Sequence, residues 1–349
     1  MKMANIDCNK DLIAYHKEQV TLGNNEQNDM RSRRDNGRTR LKNGLARMSK
    51  SHPKIIDSQG SYTMKTMVQD SQNEYDIDDG VYFLPEDLTG FLGMSLSPLE
   101  ARTLVCDALS DDDRLKSPAE VKNNCVRQTY PQGYHIDYPV YRIKSESDGQ
   151  GGVQDYYELA SGSSWIRSDA KAVTSWFNSK VSTLNSGDVN DGSQLRRIVR
   201  YTKKFARSID DWKDKTASGI AITKLVVDHF QQSEDRDDIS LRETWKAIKK
   251  SLDVSTAIAH PVIEGTNIHE KNDPKVIFFK EKLSSALNVL ATIDENDCAQ
   301  LDALEAWDSV FNVKFFAKRA PASAECKKSA FAVVSSTTPK RDDGGNRFG

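Results

Sequence analysis

QGSYTMKTMVQDSQNEYDIDDGVYF, running from Gln59 to Phe83, is the stretch that decides how this chain is read. Gly60-Ser61 opens a short segment, Tyr62 to Val68, at which glycine permits close backbone approach and the N–H groups of a helix start can face an anion. In Tyr75-Asp76-Ile77-Asp78 successive side chains alternate faces, so Asp76 and Asp78 point one way while Tyr75 and Ile77 point into a core. Asp79 falls on the Ile77 face and is left out of the acidic set. Tyr134-His135-Ile136-Asp137-Tyr138 is a second β-rich run, with Asp137 projecting opposite to Ile136 and Tyr138. If the two runs are neighbouring strands, three carboxylates meet. Carboxylate oxygens suit Mg²⁺, and two such ions about 3.5–4 Å apart can clamp the attacking and leaving oxygens of phosphoryl transfer.

Gly60-Ser61, Asp76-x-Asp78 with the following Asp79-Gly80-x-Tyr82, and His135-x-Asp137-x-Pro139-x-Tyr141 together resemble the bacterial DncV-like nucleotidyltransferases. These CD-NTase (SMODS-type) enzymes are relatives of the animal cyclic GMP–AMP synthase within the polymerase-β-like superfamily. The resemblance runs from about residue 53 to about residue 320 and is sharpest between Gln59 and Asp137. It implies an α+β fold: a polymerase-β-like nucleotidyltransferase lobe of mixed β-sheet and helices, a C-terminal all-helical lobe, and an active site in the cleft between them. It also implies two Mg²⁺ ions, for which Mn²⁺ can substitute, on Asp76, Asp78 and Asp137. Gln59, Gly60, Ser61, Arg127, Lys203 and Ser218 become the nucleotide-binding set by the same resemblance. Taken alone, Arg127 reads as a surface residue and Ser218 as a helix cap.

The 49 Lys plus Arg against 51 Asp plus Glu in 349 residues give no bulk charge for coating nucleic acid. The five cysteines are scattered without a C-x-x-C pair, so they read as reduced thiols and supply no zinc ribbon. Neither a signal peptide nor an apolar run of membrane-spanning length is present in the sequence. The expectation is a cytoplasmic protein without a membrane partner or an obligate nucleic-acid template.

The expected organisation is an N-terminal bracing helix and catalytic lobe over 1–190, a helical lobe over 191–335 and a flexible tail over 336–349. A break at Gly23-Asn24-Asn25 precedes a basic run with Arg31, Arg33, Arg34, Arg38, Arg40, Lys42 and Arg47, in which Leu41, Leu45 and Met48 recur at helical spacing. That helix either packs its apolar side with its cations in water or, as the resemblance implies, sends some arginines to the nucleotide pocket or an activating partner. Pro98 to Leu109 reads as a helix, Gly149 to Gly152 as a hairpin-type turn, and Trp165–Asp169 as the lead into a helix capped by Ser168 or Asp169. Asn185 to Gly192 is the expected hinge. The next helix carries Leu195, Ile198, Val199, Thr202 and Phe205 on one stripe and Lys203 among its cations. Ser240-Leu241-Arg242-Glu243 reads as a capping box, and His260 as a satisfied structural histidine.

The function expected is template-independent synthesis of a cyclic di- or trinucleotide from nucleoside triphosphates, ATP among them. By resemblance its setting is CBASS anti-phage signalling, with a HORMA-type regulator or conjugation through the tail as candidate control. The alternative is a linear polymerase acting on an RNA acceptor. A non-enzymatic nucleic-acid binder and a small-substrate transferase are further readings.

Overall fold

The computed structural model describes residues 6–70, 75–90, 93–110, 117–147, 152–184, 193–295 and 298–321. Residues 149–151 of the expected turn over 149–152, the hinge at 185–192 and the tail at 336–349 lie outside them.

Strand β2 (Asp76–Phe83) is the spine of the first lobe. On one edge it pairs antiparallel with β1 (Ile55–Gln59). On the other it pairs parallel with β5 (His135–Tyr138) and then β6 (Val140–Ser147), which follow each other in one register across Pro139. The Pro139 carbonyl accepts from Val81 N–H, so the proline interrupts the strand without breaking the pairing. β3 (Glu120–Val121) and β4 (Val126–Thr129) extend the sheet beyond β5, while β7 (Val153–Ser161) and β8 (Ser164–Arg167) extend it beyond β6. The result is a mixed sheet of eight strands among the described residues.

Two helices cover one face. α2 (Asn24–Arg47) buries Leu41 and Leu45, and α4 (Pro98–Ser110) buries Val105 and Leu109, in one core with Ile77, Val81, Ile136 and Val140 of the sheet. The helices touch closely: a Cβ on Gly44 would fall 2.0 Å from the Ala108 carbonyl oxygen, so only glycine permits this crossing.

A second core is helical. It joins α6 (Gln194–Ala206), α7 (Gly219–His229), α8 (Asp237–Val254), α9 (Pro274–Ala291) and α10 (Gln300–Phe311) around Trp245, Trp307 and Phe311. The start of the chain contributes to it too. Leu12 and Tyr15 of α1 (Asn9–Tyr15) are fully buried there, and Cys8 N–H donates to Asp238. Phe177 and Val181 of α5 (Ala170–Leu184) join the same core. Apolar burial therefore links both ends of the 1–190 segment to the helical side, and α2 is the brace that belongs to the sheet.

Two local expectations change. The segment after Gly60-Ser61 is a single helical turn, α3 (Gly60–Thr63), because Lys65 adopts a φ of 55°, which stops the helix. The capping box at Ser240 is not one: α8 begins at Asp237, and the buried Ser240 hydroxyl donates to the Gln231 carbonyl. Asp237 is held by Arg197 at 2.7 Å and Asp238 by Arg236 at 2.7 Å, which fixes the helix start four residues earlier, with Arg236 in place of Ser240 at the cap position.

Candidate active site

The parallel pairing of β2 with β5 sets Asp76 opposite His135 and Asp78 opposite Asp137. Residues directly opposite in neighbouring strands share a face, so Asp78 and Asp137 project together, and Asp76, two residues along, joins them. Asp76, Asp78 and Asp137 each offer an oxygen within 4.8 Å of the others. Burial first, then the charges of Asp76 and Asp137, push the Asp78 carboxyl well above the usual carboxylate range. Three hard oxygen donors that repel one another across so short a distance are the donor set a divalent cation relieves.

Gly60 completes this corner. Its φ is +67°, and a Cβ there would lie 2.3 Å from Asp78 Oδ2. The backbone of the α3 turn thus lies against the acidic cluster with no side chain between them. Ser61 lines the adjoining cleft, a cavity of about 390 Å³ bounded also by Asp76, Asp78, Thr66, Lys203, Arg207 and His260. The acidic floor comes from β2 and the cationic wall from α6.

Lys203 is buried, with its Nζ 3.0 Å from Thr66 Oγ1. Burial, with the charge of Arg207, lowers its pKa to about 7. A lysine with so little hydration, facing a cleft, suits a polyanion that would restore its charge. Ser218 caps α7, its hydroxyl accepting from Ala221 N–H at 3.4 Å. It lines a smaller side pocket that meets the main cleft at Lys203, Arg207 and Gly219.

Two residues of the expected nucleotide-binding set are engaged elsewhere. The Gln59 side chain is buried, donating to Tyr141 Oη at 2.9 Å and accepting from Tyr82 Oη at 3.0 Å. It is therefore spent on the stacked Tyr82–Tyr141 pair and only its backbone leads into the turn. Arg127, opposite Asp137 on β4, forms a bidentate pair with that carboxylate at 2.8 and 2.7 Å. It steadies an acidic ligand and does not line the cleft.

Asp79 lies on the opposite face, fully buried, and is clamped by Arg38 of α2 at 2.7 and 2.5 Å and by the Ser58 hydroxyl at 2.9 Å. Arg34 donates to Ser58 Oγ at 3.2 Å, and Arg31 and Arg34 approach Tyr62 Oη at 3.4 Å. The basic helix thus reaches β1, β2 and the α3 turn from behind, and among the described residues none of its arginines lines the cleft. His260 does line it, while its Nδ1 accepts from Ile263 N–H at 3.0 Å and Val262 N–H at 3.3 Å. Thr66 and Arg207 join the cleft beyond the expected site residues. Arg207 belongs to the run of cations that the sequence puts on this helix for phosphate, one turn from Lys203, whereas Thr66 carries no signal of its own.

Residues 54–141 match the family model of the nucleotidyltransferase domain of cyclic GMP-AMP synthase DncV-like proteins. This segment is a DncV-like nucleotidyltransferase domain. The match spans the α3 turn, all of β2 and Asp137, so the acidic cluster lies inside the nucleotidyltransferase domain. Solved structures share the fold over nearly the whole chain. Escherichia coli MS115-1 CdnC with ATP is 15% identical with a TM-score of 0.64, covering 90% of this chain and 99% of that one. The complex of the same CdnC with HORMA-deltaN gives 15% and 0.63, covering 88% and 98%. Vibrio cholerae DncV cyclic AMP-GMP synthase with the linear intermediate 5′ pppA(3′,5′)pG gives 16% and 0.65, covering 89% and 96%. Among the described residues no helix is long and apolar enough to cross a membrane.

Proposed function

We propose that this nucleotidyltransferase joins nucleoside triphosphates, ATP among them, into a cyclic di- or trinucleotide without a nucleic-acid template. The observation that carries the reading is the register of β2 on β5. It brings Asp137 within 4.8 Å of Asp76 and Asp78, and the latter two line a cleft that Lys203 and Arg207 also line.

Asp76, Asp78 and Asp137 would hold two Mg²⁺ ions, with Mn²⁺ able to replace them. Bound there, the metal lowers the pKa of the acceptor hydroxyl and neutralises charge on the phosphates. Gly60 and Ser61 present backbone N–H groups and a hydroxyl to the donor triphosphate. Lys203 supplies a point charge to the same group, taking up a proton as the polyanion enters, and Ser218 contributes at the N-terminus of α7. Arg127 keeps Asp137 oriented on the acceptor side. The acceptor hydroxyl oxygen bonds to the donor α-phosphorus as the bond to the β-phosphate oxygen breaks, and pyrophosphate leaves. A linear intermediate that stays in the cleft offers its own triphosphate for the second attack, which closes the ring. The solved DncV complex with a linear intermediate supports this order.

We place the reaction in the bacterial cytoplasm, in CBASS-type signalling. The CdnC complex with HORMA-deltaN supports a HORMA-type regulator, and the tail over 336–349 is the candidate for conjugation. The working division is a catalytic unit over 1–190 and a helical unit over 191–335. A linear polymerase would use the same carboxylates, but the basic helix, the surface that reading needs for RNA, directs Arg34 and Arg38 to β1 and β2 and lines no part of the cleft.

The test is incubation with labelled ATP, GTP, CTP and UTP, singly and mixed, with Mg²⁺, then phosphatase and mass spectrometry. A phosphatase-resistant product is expected. A phosphatase-sensitive ladder would replace this reading with the linear polymerase.

A further inference from the structure

The turn that carries Gly60 and Ser61 ends in a way that leaves carbonyls for another element to pair. Lys65, at a φ of 55°, lies just past the helix end, and the N–H groups of Lys65 and Thr66 donate back to the carbonyls of Tyr62 at 3.1 Å and Ser61 at 2.8 Å. With α3 closed off in this way, the carbonyls of Met64, Lys65 and Thr66 have no following helical turn to accept from. α6 supplies the donors. Arg196 Nε donates to the Met64 carbonyl at 3.2 Å, Arg200 Nε to that of Lys65 at 2.9 Å, and Lys203 Nζ to that of Thr66 at 3.4 Å. Donors four and then three residues apart lie on one face of α6, and they meet three consecutive residues of the turn's exit. Lys204 Nζ extends the series to the Gln69 carbonyl at 2.9 Å.

The segment held in this way lies on the seam between the two cores. Met64 and Val68 are buried in the helical core, whereas Tyr62 and Met67 pack against the core of the sheet. The start of the chain closes over its far end: Gln69 N–H donates to the Val20 carbonyl at 2.8 Å and Gln69 Nε2 to the Thr21 carbonyl at 2.6 Å. Gly60, Ser61, Met64, Thr66, Met67 and Val68 all line the cleft, so the place of this segment is the place of one cleft wall. Among the described residues that line the cleft, Arg196 and Arg200 are not found. Their terminal nitrogens anchor on the helical side instead. Arg196 Nη2 donates to Asn178 Oδ1 of α5 at 2.9 Å, and Arg200 Nη1 lies 3.2 Å from Nε2 of His16, the residue that follows α1. Each arginine therefore ties the cleft wall to two elements of the helical core.

We propose that Arg196 and Arg200 are positioning residues for the donor phosphates: they hold Gly60 and Ser61 at the acidic corner through the Met64 and Lys65 carbonyls, without touching substrate. The hydrogen bond does the holding, not the net charge, because both acceptors are neutral carbonyls and the donor is Nε–H in both residues. Lys203 is the member of the series that can be given up. When it turns to the triphosphate its bonds to Thr66 are lost, and the two arginines keep the wall in place while the acceptor oxygen meets the donor α-phosphorus. This inference rests on reading Gly60, Ser61 and Lys203 as ligands of the donor triphosphate.

The experiment uses the full-length protein. Glutamine carries its side-chain nitrogen the same number of bonds from Cα as arginine carries Nε, whereas methionine keeps the stem and has no donor. Arg196→Gln with Arg200→Gln is compared with Arg196→Met with Arg200→Met. Both pairs lose the same two charges, so any general attraction for a polyanion cancels between them. Without nucleotide, hydrogen exchange over residues 60–68 is expected to run about tenfold faster in the methionine pair than in the glutamine pair, with α8 exchanging alike in both. With the four nucleoside triphosphates and Mg²⁺, kcat for nucleotide joining is expected to be about tenfold lower in the methionine pair, at a KM within about threefold. If the methionine pair does not fold, the single changes at Arg200 give the same comparison. Equal exchange in the two pairs overturns the proposal, and so does faster exchange that extends to α8, which marks a loss of stability alone. Nucleotide joining at equal kcat in both pairs refutes this inference and leaves the nucleotidyltransferase reading standing. A segment that loosens only in the methionine pair, in a protein that joins none of the four triphosphates, does the reverse.

Discussion

Replacing Arg38 by alanine tests what the basic helix is for. Asp79 is fully buried and accepts three hydrogen bonds, two from the Arg38 guanidinium and one from Ser58. Arg38→Ala leaves a buried carboxylate with one hydroxyl, and breaking a buried pair in this way costs about 3–5 kcal/mol. The Arg38 side chain is itself 28% exposed, so water can enter the space it leaves, which places the expected loss at about 3 kcal/mol. Against a total stability of roughly 5–15 kcal/mol that is a large fraction. Urea unfolding followed by circular dichroism reads it directly. The double variant Arg38→Met with Asp79→Asn removes both charges and should recover most of the loss, giving a coupling of about 2 kcal/mol or more in the cycle. Because Asp79 adjoins Asp78 on β2, turnover of Arg38→Ala should fall more than substrate affinity does. A loss below about 0.5 kcal/mol, or simple additivity of the two single changes, would refute the clamp as a structural tie.

Other outcomes follow from the site. Asp76→Asn with Asp78→Asn should lower cyclic product formation by roughly three orders of magnitude or more, the equivalent of several kcal/mol, with an unchanged circular dichroism spectrum; retained synthesis removes these residues from the chemistry. The raised Asp78 pKa carries a sign for stability: the metal-free native state keeps a proton that the unfolded chain releases, so stability falls as pH climbs from the ordinary carboxylate range through the raised value. Asp78→Asn should abolish that fall and raise the thermal midpoint in chelator, and a lowered midpoint would contradict the crowding of carboxylates. Gly60→Ala adds about 1–2 kcal/mol of left-handed strain and a contact with Asp78, so both stability and turnover should drop, and a near-normal rate would show that the turn can move. The Lys203 pKa of about 7 makes the free protein lose this positive charge as pH rises above 7, so the KM for ATP should rise from pH 7 to 9 and flatten in Lys203→Arg; equal profiles would exclude Lys203 from triphosphate binding.

Much of this molecule is legible in its sequence. The two-residue period of Tyr75-Asp76-Ile77-Asp78 assigned faces correctly, and it set Asp79 aside for the right reason, since the opposite face is the one buried under α2. The helical stripe through Leu195, Ile198, Val199, Thr202 and Phe205 is buried as its spacing demands. These are local properties, written in 2.0- and 3.6-residue repeats that each segment carries by itself. The end of α3 at Lys65 and the early start of α8 at Asp237 were less legible, because each depends on one backbone angle or on ion pairs made by distant residues.

What the sequence determined alone, then, is which side chains share a face: the acidic pair of β2, the apolar stripes of the helices and the glycine that lets a backbone approach. Tertiary structure decided which faces meet. The register that sets Asp78 against Asp137, Gln59 turned onto Tyr141, Arg127 spent on Asp137, Arg38 closing on Asp79 and His269 beneath Ser218 all join residues from different elements. The physical reason is that a carboxylate, a guanidinium or an amide takes whichever partner burial leaves within about 3 Å, and that partner is selected by the packing of whole elements rather than by neighbours in the chain.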